Sequence, residues 1–151
     1  MKTVVQTILF FIPWLLSGIL FGRNFEFYDL IQKPFFALPK SWFFPVWIIL
    51  YLFIAISIQK VWSNTRKEDR TSYTKTLLIH YGFNQLFLFC FFTLKNLFLG
   101  FLDVVITMIT ALFLYYETKE LKKEAARYLL PYVFFLLYAL ILSLTLYFIN
   151  L

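Results

Sequence analysis

The sequence predicts an all-α polytopic membrane protein, a bundle of five transmembrane helices with a lid-like first loop. The first observation is composition: 62% of the 151 residues are hydrophobic and only 15% are charged, whereas soluble domains are about half apolar and a quarter charged. The second is that most charged residues are concentrated in short segments that separate long apolar stretches. The third is that these apolar stretches approach the roughly 20 residues needed to cross a bilayer. We therefore expect residues 1–151 to form a single integral membrane domain.

The predicted spans are residues 3–21, 43–60, 76–95, 97–116 and 128–149. They carry no charge except Asp103 inside the fourth and Lys60 and Lys95 at the ends of the second and third. The break between the third and fourth spans rests on Lys95 alone, but a stretch of about 40 residues at 1.5 Å each is two crossings, not one. For the first span, a cleaved signal peptide is the alternative. Its apolar run is longer than a usual signal core and lacks a small-x-small cleavage site, which favours a retained helix.

Orientation is predicted from lysine and arginine alone, since cations near the span ends remain on the cytoplasmic side. The N-terminus, the second loop and the fourth loop carry ten cations: Lys2, Lys60, Arg66, Lys67, Arg70, Lys75, Lys119, Lys122, Lys123 and Arg127. The other side carries four: Arg23, Lys33, Lys40 and Lys95. We expect the N-terminus in the cytoplasm and the C-terminus outside.

The net charge of +6 is accordingly an orientation signal. Its cations are interleaved with acidic residues inside loops, which does not favour a nucleic-acid surface. The single cysteine, Cys90, cannot form an internal disulfide. No residue spacing typical of a metal site occurs, so neither a metal nor a required cofactor is predicted.

The first loop is too apolar for a plain solvent linker. Pro34 and Pro39 interrupt regular helix, while Phe35, Phe36 and Leu38 favour a position over the mouth of the bundle. With only four glycines, bulky aromatic side chains must fill the space between the helices, and such packing can leave an aromatic-lined hollow. Trp14 is interpreted as a residue of the interfacial aromatic belt.

Three ordered blocks resemble the TspO/translocator family, the tryptophan-rich sensory proteins also called peripheral-type benzodiazepine receptors. The first block comprises Tyr28-Asp29, Leu30, Lys33-Pro34-Phe35-Phe36, Pro39, Phe43, Val46-Trp47 and Leu50-Tyr51. The second is Phe83-Asn84-Gln85-Leu86-Phe87 with Phe91-Phe92 and Lys95. The third is Leu130-Pro131-Tyr132 with Phe135 and Ala139.

This resemblance implies a protein of the bacterial plasma membrane that forms a homodimer and binds porphyrins. Protoporphyrin IX or haem is then the expected ligand, held in an aromatic cavity beneath the lid. The ligand-binding residues it implies are Trp47, Tyr51, Asn84, Phe87, Phe91, Phe135 and Ala139, with Pro34, Phe35 and Pro39 from the lid.

The chain departs from the family pattern by carrying phenylalanine or serine where tryptophan is usual: Phe35, Phe36, Ser41, Phe87 and Phe135. Phenylalanine keeps the stacking surface but lacks the indole N–H and its easier oxidation. The resemblance therefore favours a receptor or sensor. The alternatives are an enzyme that degrades protoporphyrin in light, in which Trp47 would act, and a transporter of tetrapyrroles.

Three polar residues inside the predicted spans each leave more than one interpretation open. Asn84 either joins helices or contacts a ligand, because an unsatisfied amide in hydrocarbon is costly. His80, one turn earlier, is a structural hydrogen-bonding residue or, less favoured, a haem ligand. Asp103 is expected to face the bundle interior, where it either forms a hydrogen bond between helices or takes part in a proton relay. The remaining alternative is a position near the membrane surface.

Overall fold

The computed structural model describes residues 2–22 and 25–151, and every regular element in that part of the chain is helical. Arg23, one of the four cations counted above, lies outside the described residues. Five helical segments are long and apolar enough to span a membrane: Lys2–Phe21, Lys40–Asn64, Thr71–Thr93, Leu97–Leu121 and Lys123–Ile149. They are called the first to fifth spans here. The predicted fold class, an all-α polytopic membrane protein with five spans, is thereby confirmed.

Most of the spans extend beyond the apolar stretches that predicted them, although the third ends at Thr93, two residues before its predicted end. The second continues through Lys60 to Asn64, and the fifth begins at Lys123, five residues before its predicted start at 128. Long cationic side chains can lie along a helix and place the charged end in the headgroup region. A charge therefore marks where the hydrocarbon ends and not where the helix ends.

The break at Lys95 has a clear structural basis. A π-helical turn at Phe89–Thr93 ends the third span, and Lys95 follows with a φ of 50°, in the left-handed region that a non-glycine residue adopts only at tight turns. The side-chain oxygen of Asn96 then accepts a hydrogen bond from the backbone N–H of Leu99 at 2.9 Å. This is an N-cap, and it starts the fourth span in a new direction.

The five spans form a closed ring in the order first, second, fifth, fourth, third. The first span contacts two neighbours with different halves: its beginning, Lys2–Phe11, packs on the second span, and its end, Leu16–Phe21, packs on the third. Many large apolar side chains on the outside of the ring are exposed, among them Ile19, Phe44 and Phe134. In a bilayer these side chains face lipid.

Side-chain contacts show which loops share an end of the bundle. Ser63, at the end of the second span, donates to Gln6 of the first at 3.2 Å, and Ser72 donates to Glu117 at 2.6 Å. These contacts gather the N-terminus and the loops around residues 65–70 and 117–123 at one end. At the other end, the side chain of Asn150 accepts from the backbone N–H of Gln32 and donates to its carbonyl oxygen.

The first loop contains a short helix, Glu26–Leu30, followed by the proline segment. The hydroxyl of Tyr28 donates to the carbonyl oxygen of Leu38 at 3.0 Å. From the fifth span, the hydroxyl of Tyr138 accepts from the N–H of Leu38 at 2.9 Å and donates to the carbonyl oxygen of Phe36 at 3.0 Å. The loop is thereby held against the fifth span.

Candidate functional site: an aromatic cavity between three spans

A cavity of about 360 Å³ lies between the first, second and third spans. This volume falls within the range of small-molecule sites, about 300–1,000 Å³. Its walls are mostly apolar and aromatic, with few polar groups. The residues that line it include Trp14, Ser17, Gly18, Ile19, Phe44, Trp47, Tyr51, Asn84 and Phe87. This is called the main cavity.

The main cavity exists because the first span is interrupted. A short 3₁₀ segment, Ile12–Leu15, contains Pro13, which has no N–H to donate and tightens the helix locally. Beyond this point the chain leaves the second span and packs on the third. The gap that opens between the end of the first span and the start of the second is the cavity.

Side chains of the third span satisfy the backbone groups at this interruption. The Tyr81 hydroxyl donates to the carbonyl oxygen of Pro13 at 2.9 Å, and the N–H of Ser17 donates to Gln85 Oε1 at 2.8 Å. Irregular backbone is tolerated at membrane depth only where such partners are supplied. The same contacts fix the first span against the third and so hold the cavity open.

Gly18 has no side chain and therefore leaves space unoccupied at the wall of the main cavity. A Cβ added at Gly18 would have no neighbour within 4 Å. The mouth of the main cavity lies beside Ile19 and Phe44, which line it and are 73% and 71% exposed. Both side chains are apolar and belong to the lipid-facing surface, so the cavity opens sideways toward the hydrocarbon.

Trp47 lies at the centre of the aromatic wall. Its ring centre is 5.3 Å from that of Tyr51 and 5.4 Å from that of Phe135, which meets it nearly edge-on at 82°. Phe87 stacks on Phe91 at 5.4 Å and 26°. Offset and edge-on pairs of this kind are favourable beyond the area that they bury. The rings therefore support one another as a fixed surface.

The structure divides the residues implied by the family resemblance into three groups. Four of them line the main cavity: Trp47, Tyr51, Asn84 and Phe87. Three line a narrower neighbouring cavity of about 40 Å³: Phe91, Phe135 and Ala139. Three line neither cavity: Pro34, Phe35 and Pro39.

The lid covers the narrower cavity more directly than the main one. Phe36 and Ala37 pack with the cluster that contains Phe91 and Phe92. The side chain of Phe35 is fully exposed and turned away from the bundle. In this arrangement, the lid proline residues shape the loop and do not form a wall.

A buried chain of hydrogen bonds runs behind the main cavity. The Tyr51 hydroxyl donates to Asn84 Oδ1, and Asn84 Nδ2 donates to the Tyr132 hydroxyl, both at 3.0 Å. The Tyr132 hydroxyl lies 3.0 Å from His80 Nε2, and His80 Nδ1 lies 2.9 Å from Thr110 Oγ1. The chain thus joins the second, third, fifth and fourth spans.

The direction of these bonds follows from Thr110. Its hydroxyl donates to the carbonyl oxygens of Ile106 and Thr107, each at 3.0 Å. The Thr110 oxygen must therefore accept from His80 Nδ1, which leaves His80 Nε2 to accept from Tyr132. His80 is then a neutral imidazole with both nitrogens occupied. A haem iron could bind Nε2 only by displacing Tyr132.

The sequence interpretation missed the contribution of the first span. Trp14, interpreted above as a belt residue, is 2% exposed, and its ring centre lies 5.6 Å from that of Tyr51. The interpretation was wrong because Trp14 lies in the 3₁₀ segment, where its ring packs against Tyr51 and Tyr81 inside the bundle. The available signal was Pro13 followed by the adjacent small residues Ser17 and Gly18.

Comparison with known proteins adds a family match. The model of the TspO/MBR family matches residues 5–149. The chain is 34% identical over 134 residues to the tryptophan-rich protein TspO of Bacillus cereus, covering 89% of this chain and 87% of that protein. It is 33% identical over 135 residues to the uncharacterized membrane protein YtaB of Bacillus subtilis, with the same coverage. The tryptophan-rich protein TspO of Archaeoglobus fulgidus is 31% identical over 127 residues, 82% of this chain and 79% of that protein.

Proposed function

Since this chain belongs to the TspO/MBR family, we propose that it is a membrane receptor or sensor that binds porphyrins or similar flat aromatic molecules in the main cavity. The observation that carries the proposal is the cavity itself, about 360 Å³ with a wall of aromatic rings and, among its described lining residues, one side-chain amide, Asn84. A flat π-system gains most of its binding energy by stacking on such rings. A few polar groups are sufficient to orient it.

The lateral mouth fits a ligand that partitions into lipid. A tetrapyrrole is wider than a single aromatic side chain, so part of it would extend between Ile19 and Phe44 into the bilayer. Its carboxylate groups would then lie toward the membrane surface, and its ring system against Trp47. We also propose the plasma membrane as the location and a homodimer as the assembled form.

The decisive variant fills the cavity without disturbing its walls. Gly18→Leu places an apolar side chain into space that is empty within 4 Å of the added Cβ. Gly82→Leu is the matched control, because Gly82 is also helical, also free of neighbours within 4 Å, and does not line the main cavity. Both substitutions favour helix equally. A difference between them therefore reports on the cavity.

Protoporphyrin IX titrated into detergent-purified protein should quench tryptophan fluorescence, because Trp14 and Trp47 line the cavity. We expect micromolar binding by the parent and by Gly82→Leu, and at least about tenfold weaker binding by Gly18→Leu, a loss of about 1.4 kcal/mol. Trp47→Phe and Asn84→Ala should also weaken binding. Unchanged affinity in Gly18→Leu would exclude the main cavity as the binding site.

A further inference from the structure

Asp103 is a buried carboxyl group with an unused acceptor. Its side chain is 6% exposed, and its Oδ2 has no hydrogen-bond partner among residues 2–22 and 25–151. Thr107, one turn later on the same helix face, is 3% exposed, and its Oγ1 likewise has no partner in the described chain. Buried polar groups are nearly always paired, and pairing matters most where the surroundings are hydrocarbon.

Both residues line one small cavity of about 20 Å³. A space of roughly 10–15 Å³ holds one water-sized group, so this cavity has room for one such group. Trp47, Asn84 and Phe87 line it from the other side, and the same three residues line the main cavity. The two cavities therefore lie side by side and have three lining side chains in common.

We propose that Asp103 and Thr107 form a polar subsite that receives the ammonium or N–H group of an apolar aromatic ligand. This rests on the proposed function, because the body of the ligand lies in the main cavity against Trp47. The polar group passes between the side chains of Asn84 and Phe87. The subsite gives the receptor a preference for basic or N–H-bearing aromatic ligands.

The donor set explains that preference. A carboxyl group accepts hydrogen bonds and, as a carboxylate, forms a short charge-assisted bond to an ammonium group. A threonine hydroxyl supplies a second acceptor. A ligand carboxylate placed here would lie beside the Asp103 carboxyl group, and two carboxyl groups at one buried site cannot readily both ionise. Acidic ends of a ligand are thus directed to the lateral mouth.

Three pyrene probes with the same ring system test the subsite: pyrenylmethylamine, methylpyrene and pyrenecarboxylic acid, titrated into the detergent-purified protein and followed by pyrene fluorescence. We expect the amine to bind about tenfold more tightly than methylpyrene, and the acid to bind more weakly than both. Asp103→Asn, which preserves shape, should abolish the advantage of the amine and leave methylpyrene binding unchanged. Thr107→Val should reduce that advantage about threefold.

Glu120→Gln is the control for attraction of a cationic probe to the protein surface. Glu120 is exposed at the end of the fourth span and lines none of the three cavities described above, so this variant should keep the preference for the amine. Equal binding of amine and methylpyrene, or an amine advantage that survives in Asp103→Asn, overturns the subsite. In either case, methylpyrene binding that is blocked by Gly18→Leu still supports the proposed function. Failure of methylpyrene to bind the parent overturns both.

Discussion

The side-chain amide nitrogen of Asn84 lies 3.0 Å from the hydroxyl oxygen of Tyr132, and both side chains are buried in the bundle. This bond joins the third span to the fifth. Asn84 also lines the main cavity. Since apolar packing between helices gains little over packing against lipid tails, directional bonds of this kind contribute to the register of the spans. The residue that would orient a ligand is therefore also one that holds the fold.

The first prediction concerns Tyr132. Tyr132→Phe removes the partner of Asn84 Nδ2 and of His80 Nε2 at once, so it should lower the free energy of unfolding by about 1–3 kcal/mol. Tyr51→Phe should destabilise less, because Asn84 Oδ1 still accepts from Gln85 Nε2 at 3.2 Å. Thermal unfolding in detergent measures both. Tyr116→Phe, on an exposed side chain, is the control, and the network has no stabilising role if Tyr132→Phe unfolds at the same temperature as this control.

The helices could be predicted from sequence because the exclusion of charge from hydrocarbon acts on whole segments of the chain. Hydrocarbon excludes charge, so the stretches with little or no charge predicted the five spans, and Lys95 marked the turn between the third and the fourth. The ends of the spans could not be predicted in the same way. Lys60 and Lys123 are helical, because the hydrogen bonds of a helix continue into the headgroup region.

The residues and shape of the candidate site were harder to predict from sequence than the helices. Trp47 and Asn84 were predicted as ligand-binding residues through the family resemblance, which indicates residues but not the shape of a cavity. Trp14 was not identified, because its inward position depends on the break at Pro13 and on contacts with the third span. Such contacts between distant parts of the chain leave no periodic pattern in a span that is apolar on every face.

The second prediction concerns the attachment of the lid to the fifth span. Tyr138→Phe removes the partner of the Leu38 N–H, and hydrogen exchange of that amide should accelerate at least about tenfold, which corresponds to about 1.4 kcal/mol. The neighbouring Ala37 amide donates to the carbonyl oxygen of Pro34 within the loop at 3.0 Å and should change less. Mass-spectrometric or NMR exchange distinguishes the two sites. Equal acceleration at both residues would mean that the whole loop, rather than this contact, is released.

A third prediction follows from Tyr28. Burial, with a smaller contribution from Tyr138, raises the pKa of Tyr28 from 10.0 to about 12. The folded state therefore holds the phenol proton more tightly than the unfolded state, and its bond to Leu38 contributes stability that is fully present below pH 10 and is lost as the pH rises to about 12. Proteolysis of the lid should increase across that interval in the parent. In Tyr28→Phe the rate should be higher at the outset and lack this rise, and an identical rise in both proteins would contradict the assignment to Tyr28.

The fourth prediction addresses light-dependent chemistry. Phe135 meets Trp47 edge-on, and an indole at this position would fit toward the narrow cavity of about 40 Å³. Illumination of the parent with bound protoporphyrin IX should degrade the porphyrin slowly or not at all, and Phe135→Trp should raise the rate severalfold because indole is oxidised more easily. Phe134→Trp places the same ring on an exposed position and should leave the rate unchanged. Rapid degradation by the parent would instead support the enzyme alternative.

The fifth prediction concerns orientation. Contacts from Gln6 to Ser63 and from Ser72 to Glu117 gather the cation-rich segments at one end of the bundle, and this end should face the cytoplasm. Single cysteines at acidic positions test this without changing the cation count: Glu68→Cys and Glu120→Cys in a Cys90→Ser background. Both should resist a membrane-impermeant maleimide applied to whole cells and react in inverted vesicles. Leu151→Cys, at the opposite end and 82% exposed, should react in whole cells, and the reverse labelling pattern would show that the ten cations lie outside.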